Sequence, residues 1–371
     1  MRATVERSHL LKSLGHVHRV VERRNTIPIL SNVLLRAEGS KLTMKATDLD
    51  LEVTESVPAE VSRGGATTVP AHILYDIVRK LPDGAEVSLD TGDGSQLALR
   101  SGRSNFTLQV LPETDFPDLT TGEFPVRFSL PALALKKLID RTQFAISTEE
   151  TRYYLNGIYL HAVKVAGKSM LRAVATDGHR LAQAQMDAPA GAEAMTGIIV
   201  PRKAVGEIQK LVEEPDATVD VEVSDTKIRI TIGPLVLTSK LIDGTFPDYV
   251  RVIPQGNDKV LKVDRSEFAE AVDRVSTISS ERGRAVKLAL SDGKMVLSVN
   301  NPDSGSATEE LGVDYPADGL EIGFNSRYLL DVAAQLETGT AEFRFADPGS
   351  PTLITDDGEE NALYVLMPMR V

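Results

Sequence analysis

The run Thr176-Asp177-Gly178-His179-Arg180-Leu181 sets a carboxylate and an imidazole two residues apart, across a glycine. An aspartate beside a histidine is raw material for acid–base catalysis, where an imidazole moves a proton. The same residues also fit a tight turn capped by Asp177, and no nucleophile partner stands out to complete a catalytic set. The chain has no G-x-x-x-x-G-K-[ST] phosphate loop, no G-x-S-x-G elbow and no H-E-x-x-H zinc helix. His16-x-His18 could ligate a metal in principle, but helical spacing aims the two rings at different faces. With no cysteine there is no thiolate zinc site, no cysteine nucleophile and no disulfide framework. The turn is therefore the simpler account, and no metal or cofactor is expected.

These residues sit inside a repeat. Val69-Pro70-Ala71, Val200-Pro201-Arg202 and Gly323-Phe324-Asn325 each open an apolar-periodic segment. The three segments are Ile73, Leu74, Ile77, Val78 and Leu81; then Val205, Ile208, Leu211 and Val212; then Tyr328, Leu329, Val332, Ala333 and Leu336. Strand-like alternation follows each. The units close on Asp115-Phe116-Pro117-Asp118-Leu119, Phe246-Pro247-Asp248-Tyr249 and Val365-Leu366-Met367-Pro368-Met369. An earlier helical face recurs too: Leu10, Leu11, Leu14, Val17 and Val21; Leu135, Leu138 and Ile139; Phe268, Val272 and Val275. Each face leads through strands to a polar turn at Ala46-Thr47-Asp48, Ala175-Thr176-Asp177 or Asn300-Asn301-Pro302. The reading is an α+β chain of three similar domains, 1–125, 126–253 and 254–371, each made of two helix-plus-antiparallel-sheet halves. Thr120–Glu123 and Pro254–Asn257 read as linkers.

Composition is that of an ordinary globular protein, with 42% hydrophobic and 25% charged residues. The N-terminus lacks the apolar core of a signal peptide, and no apolar run reaches the ~18 residues of a membrane span. A cytoplasmic protein is expected. The net charge of −12 argues against a nucleic-acid partner if taken alone. Its distribution argues otherwise. In the first four helical segments Lys12, Arg19, Arg23, Arg24, Arg79, Lys80, Lys136, Lys137, Arg141, Arg202, Lys203 and Lys210 face only Glu22, Asp76, Asp140 and Glu207. One such helix would be a solvated face; four in a repeating architecture suggest a shared cationic surface. The C-terminal Tyr364–Val371 is strongly apolar where chains usually fray. It reads either as a last strand or as the floor of an apolar groove built on Met367, Pro368 and Met369.

The chain resembles the bacterial β sliding clamps, the β subunit of DNA polymerase III, over its whole length. The resemblance rests on Thr26-x-Pro28-Ile29-Leu30, Pro112-x-x-Asp115-Phe116-Pro117, Arg152-Tyr153-Tyr154-Leu155-Asn156-Gly157 and Ala175–Leu181. Ser239–Gly244, Phe246–Tyr249 and Met367–Arg370 complete it. It implies the DNA clamp fold: a ring-forming head-to-tail homodimer, helices inside and sheets outside, acting as a non-catalytic processivity factor in DNA replication. By resemblance Arg24, Tyr153, Tyr154 and Arg202 are DNA-binding. A groove for short peptides of the replicative polymerase, the clamp loader and repair polymerases is implied at Arg152, Leu155, Thr176, Gly178, His179, Arg180, Leu181, Pro247, Val252, Asn325, Tyr328, Val365, Met367, Pro368, Met369 and Arg370. Arg103, Phe106 and Leu108 of one subunit would meet Thr277 and Ile278 of the other. Two segments depart from some relatives. Ser279–Arg284 carries no aromatic residue, and Asp303–Glu309 is less acidic. From the residues alone, an enzyme working at the Thr176–Leu181 turn and a three-domain protein-binding scaffold stay open.

Overall fold

In the computed structural model, residues 1–279 and 284–371 are described; positions 280–283, the middle of the segment without an aromatic residue, lie outside the described residues. Six α-helices occur among the described residues: α1 Arg7–Val17, α2 Ala71–Lys80, α3 Ala132–Asp140, α4 Arg202–Leu211, α5 Arg265–Ser276 and α6 Ser326–Ala333. Each follows a strand directly. Pro70, Pro131 and Pro201 end the strands before α2, α3 and α4, where a residue without an N–H stops the ladder and its fixed φ leads into a helix. Asp264 and Asn325 do the same work by capping: their side chains accept the N–H groups of Glu267 and of Arg327 and Tyr328.

The chain packs as two compact units, Met1–Leu133 with Gly206–Leu241 and Ala134–Val205 with Ile242–Val371. The first holds a five-stranded sheet, in the order Glu60–Arg63, Arg2–Glu6, Glu86–Asp90, Gln96–Ser101, Ser104–Gln109. It also holds an eight-stranded sheet: Val126–Pro131, Thr218–Val223, Lys227–Ile232, Leu235–Lys240, Leu51–Pro58, Lys41–Thr47, Asn32–Glu38, Gly65–Pro70. The second unit holds its own eight-stranded sheet: Ile198–Pro201, Gly157–Val165, Lys168–Thr176, Arg180–Asp187, Ala362–Leu366, Thr352–Asp356, Thr340–Phe345, Lys259–Asp264. A four-stranded sheet completes it: Gly305–Gly312, Lys294–Asn301, Ala285–Ser291, Leu320–Asn325. Pairing is antiparallel throughout these sheets. In each eight-stranded sheet four strands come from one third of the chain and four from the next, so the strand pair in the middle is a seam.

Most residues of the expected apolar faces are buried; Leu11, Ile77 and Tyr328 are half-buried and Ile73 is exposed, so the inward stripe of α2 is Ala71, Leu74 and Val78. The expected linker Thr120–Glu123 is pinned rather than loose. Lys227 Nζ donates to the carbonyls of Leu119 and Thr121, Arg229 donates to that of Thr120, and the Arg229 guanidinium covers the Phe124 ring. Glu52, almost wholly buried, accepts the Leu119 N–H, and burial pushes its carboxyl up. Three strands of the first third carry no clear sequence signal. Glu60–Arg63 is nearly all exposed, Gly65–Pro70 is rich in small and turn-forming residues, and Arg2–Glu6 is too short to show a period.

The helix cations need correcting. Several are neutralised by acids that lie off the helices: Lys12 by Glu213 at 3.6 Å, Lys137 and Arg141 by Glu337 at 3.8 and 3.2 Å, and Arg141 also by Glu359 at 3.4 Å. Glu207 takes both Arg19 and Lys210. Counting charges helix by helix overstates the cationic face, because the compensating acids come from loops far away in sequence. Arg23, Arg24, Lys80 and Arg202 are exposed.

Candidate functional site

The Thr176–Arg180 turn is built from its own side chains. Thr176 Oγ1 donates to the Arg180 carbonyl at 2.7 Å and accepts the Gly178 N–H at 3.2 Å. Asp177 Oδ1 accepts the N–H groups of His179 and Arg180, and Oδ2 accepts Arg180 Nε at 3.1 Å. Gly178 takes φ +89°, which favours glycine. Both Asp177 oxygens are thus spent on the turn, and neither orients the exposed His179 ring. The acid–base reading has no geometric support here.

Arg180 ties the turn to α6. Its guanidinium pairs with Asp331 at 2.5 Å, donates to the Phe144 carbonyl at 2.7 Å and lies 4.2 Å from the Tyr328 ring centroid. Burial, and then the nearby Asp177 charge, push the Tyr328 phenol up. Asn325 caps α6 directly before Tyr328. Arg180 was expected to line the groove; three of its five N–H donors are spent on bracing the wall, to Asp177, Asp331 and the Phe144 carbonyl.

Arg152 lies against the same turn. It interrupts the short 3-10 segment Glu150–Leu155 with φ −108° and ψ 49°, and pairs with Glu149 at 3.3 Å. Its Nη1 lies 2.6 Å from where a β-carbon on Gly178 would stand, so glycine there serves space as well as conformation. Leu155, Leu181 and Val365 form one buried cluster with Val174, Ile199, Phe246 and Tyr249. Beneath it Tyr159 stacks on Phe246 with centroids 4.8 Å apart, and the Tyr249 hydroxyl meets both His161 Nε2 and Arg172 Nη1. Burial lowers the His161 pKa, keeping that ring neutral. Close in sequence to cluster residues are exposed apolar side chains: Pro247, Val250, Val252 and Met367, the last 40% exposed.

The C-terminus resolves its two readings by division. Ala362–Leu366 is a strand of the sheet, and Met367–Val371 continues outside it. Met367 N–H donates to the His179 carbonyl at 2.9 Å, and Met369 N–H to that of Gly323 at 2.8 Å. Pro368 to Val371 help line an open cavity of about 910 Å³ beside the four-stranded sheet.

The remaining expected residues are scattered between the units. Arg24, in the first, is exposed beyond α1. In the second, Tyr153 is 54% exposed and packs edge-on against Tyr154 with centroids 5.7 Å apart. Gly244 leaves room for that pair, since a β-carbon there would lie 3.0 Å from the Tyr154 β-carbon. Arg202 is the exposed first residue of α4. In the first unit, Arg103 is exposed beside the edge strand Ser104–Gln109, Phe106 is half-buried, and Leu108, at 9% exposure, packs inward. In the second, Thr277 and Ile278 follow α5, near the other edge strand, Gly305–Gly312. There Glu309 is held ionised by Arg274 at 2.6 Å, which offsets one of the few acids of that segment. His16 and His18 find separate partners: Glu55 and Glu213 for the first, the Tyr75 ring for the second.

Three family models cover the chain: the DNA polymerase III beta subunit N-terminal domain over residues 1–120, the central domain over 129–248 and the C-terminal domain over 250–370. The beta sliding clamp of Caulobacter vibrioides is 56% identical and that of Escherichia coli K12 is 40% identical, each match spanning 100% of both chains. Among solved structures, the DnaN sliding clamp of Bartonella birtlesii bound to griselimycin matches with a TM-score of 0.98 at 59% identity. The griselimycin-bound clamp of Pseudomonas aeruginosa matches with 0.95 at 42%. Both cover 100% of each chain.

Proposed function

The chain belongs to the DNA polymerase III β-subunit family, the bacterial sliding clamps, and from that premise we propose how its own residues do a clamp's work. It is a non-catalytic processivity factor of DNA replication. Three domains, 1–125, 126–253 and 254–371, are joined within one chain. Two chains join head to tail into a ring around duplex DNA, helices inward and sheets outward. Edge strand Ser104–Gln109 of one copy pairs with Gly305–Gly312 of the other. Support comes from the sheets: each strand is the last of its sheet and has one side unpaired among the described residues, a state that invites a partner strand.

Arg24, Tyr153, Tyr154 and Arg202 touch DNA. Their contacts are few and weak, because retention comes from enclosure, and a tight phosphate grip would brake sliding. Short peptides of the replicative polymerase, clamp loader and repair polymerases seat on Leu155, Leu181 and Val365, flanked by Arg152, Gly178, His179, Val252 and Met367. The observation that carries this is a buried apolar cluster in the second unit with exposed apolar residues, Pro247, Val250, Val252 and Met367, close to it in sequence. The site works in the cytoplasm and without a cofactor.

The decisive test is topological. Loaded on closed circular DNA, the protein should stay bound and leave once the circle is cut; equal loss from both forms would end the clamp reading. Deleting Met367–Val371 should abolish binding of a short hydrophobic peptide beginning with Gln while encirclement persists. Phe106→Ala alone is the proper probe of the subunit contact. Changing Leu108 as well would empty the protein's own core.

A further inference from the structure

The C-terminal segment is fastened at two points, on two different walls. Met367 N–H holds the carbonyl of His179 in the Thr176–Arg180 turn, and Met369 N–H holds the carbonyl of Gly323. Pro368, which has no N–H to give, lies between them. Gly323 belongs to Leu320–Asn325, the last strand of the four-stranded sheet, which pairs on one side with Ala285–Ser291. The segment takes up its other side through the Gly323–Met369 bridge. Met367–Met369 is therefore a strap between a turn and a sheet edge.

At the second point there is no room for any side chain. A β-carbon on Gly323 would fall 2.5 and 2.8 Å from the two methyls of Val371 and 2.7 Å from the Met369 carbonyl oxygen. One of these neighbours is backbone and cannot swing aside. Gly323 is also absent from the glycines with positive φ, so its backbone does not call for glycine. A glycine within a strand weakens it, and a close approach by another backbone is a physical reason to keep one.

We propose that Gly323 is a positioning residue for the peptide groove: its missing side chain seats the strap, and the seated strap fixes Met367 as part of the rim. This rests on the groove reading given above. Two variants test it. Gly323→Ala fills the seat; Met369→Pro removes the N–H that reaches Gly323 without touching the strand. The first readout is the methyl NMR spectrum of the eight methionines, which reports the strap whether or not peptide binds. The Met367 methyl should move in both variants and the Met369 methyl in Gly323→Ala, while the fully buried Met44 and Met295 stay in place as internal controls. The second readout is anisotropy of a fluorescein-labelled hydrophobic peptide beginning with Gln. Its affinity should fall about tenfold or more in both variants, with melting unchanged in Met369→Pro. An unmoved Met367 methyl in Met369→Pro overturns the seat. Methyls that move while affinity holds overturn the groove reading, and with it the positioning role, but leave the seat standing.

Discussion

Each unit contains one seam, and the two seams share a backbone but not their side chains. Leu51–Pro58 pairs with Leu235–Lys240 in the first, Arg180–Asp187 with Ala362–Leu366 in the second, with five residue pairs in register in each. The turns that lead into them match bond for bond. Thr47 Oγ1 donates to the Leu51 carbonyl and accepts the Leu49 N–H, as Thr176 does with Arg180 and Gly178. Asp48 Oδ1 accepts two N–H groups, as Asp177 does. Even the rims correspond: Lys240 N–H donates to the Asp50 carbonyl where Met367 N–H donates to that of His179. The side chains at those rims differ. Lys240 and Asp50 form an ion pair at 3.2 Å, whereas Met367 and His179 are both exposed and unpaired with each other. An apolar ligand finds a charged rim at one seam and an apolar one at the other. A repeated fold thus supplies the same position twice, and on the proposed function these two side chains would decide which of the two takes a peptide.

The flanks differ as well. His16 and Arg141 each stand ten residues beyond the strand end that starts their helix, and each meets an acid eleven residues after the start of α4 or α6: Glu213 at 3.3 Å and Glu337 at 3.2 Å. His16 also holds Glu55 at 2.7 Å, and Glu55 is only 6% exposed. Glu337, by contrast, is largely open to solvent. Removing the base should therefore hurt the first seam more. His16→Ala strands a buried carboxylate and is expected to cost about 3–5 kcal/mol in chemical denaturation, the range for breaking a buried pair. Arg141→Ala should cost clearly less. An equal loss would mean that burial of the acid does not separate the seams.

Gly178→Leu imports the first seam's residue into the second, since Leu49 occupies the same turn position with φ +79°. Leucine there would displace Arg152 and should weaken peptide binding about tenfold, equivalent to 1.4 kcal/mol. Unchanged affinity would remove Arg152 and Gly178 from the groove. The reverse change, Leu49→Gly, relieves a conformation that costs about 1–2 kcal/mol but adds chain entropy to the unfolded state. Melting should rise only slightly, and peptide binding should not respond.

The seams should also part with pH. Burial by itself would lower the His16 pKa, but hydrogen bonds to Glu55 and Glu213 outweigh it and raise the value. A raised histidine stabilises fully below its ordinary pKa of about 6.5, and that stability is lost as pH climbs through the folded-state value. Wild-type stability should therefore decline relative to His16→Gln as pH rises above about 6.5. Burial depresses His18 and His161, so they act in the opposite sense, toward acid. A constant difference between the two proteins across that range would show that His16 is not charged in the fold.

How much of this could be read in the sequence depends on where the partner lies. The helices were legible because their apolar spacing is local, and the Thr176–Arg180 turn because its bonds stay within five residues. Arg180 reads as a groove residue, but its partners Phe144 and Asp331 are far away in sequence, so its bracing contacts were hidden. Likewise the helix cations looked unopposed until Glu213 and Glu337 folded against them. Gly323 carries no local signal at all, since what it accommodates is the chain's last residues. The repeat was visible, but the seams were not, because strand pairing between successive thirds leaves no mark in either strand.

The most direct test is to exchange the rims. His179→Asp with Met367→Lys recreates the charged rim of the first seam on the second. It keeps the backbone bonds and removes an apolar anchor worth roughly 1.5–3 kcal/mol. Titrated with the labelled peptide, the exchanged protein should bind about ten- to a hundredfold more weakly than wild type, at unchanged melting temperature. Wild-type affinity in the exchanged protein would contradict the account.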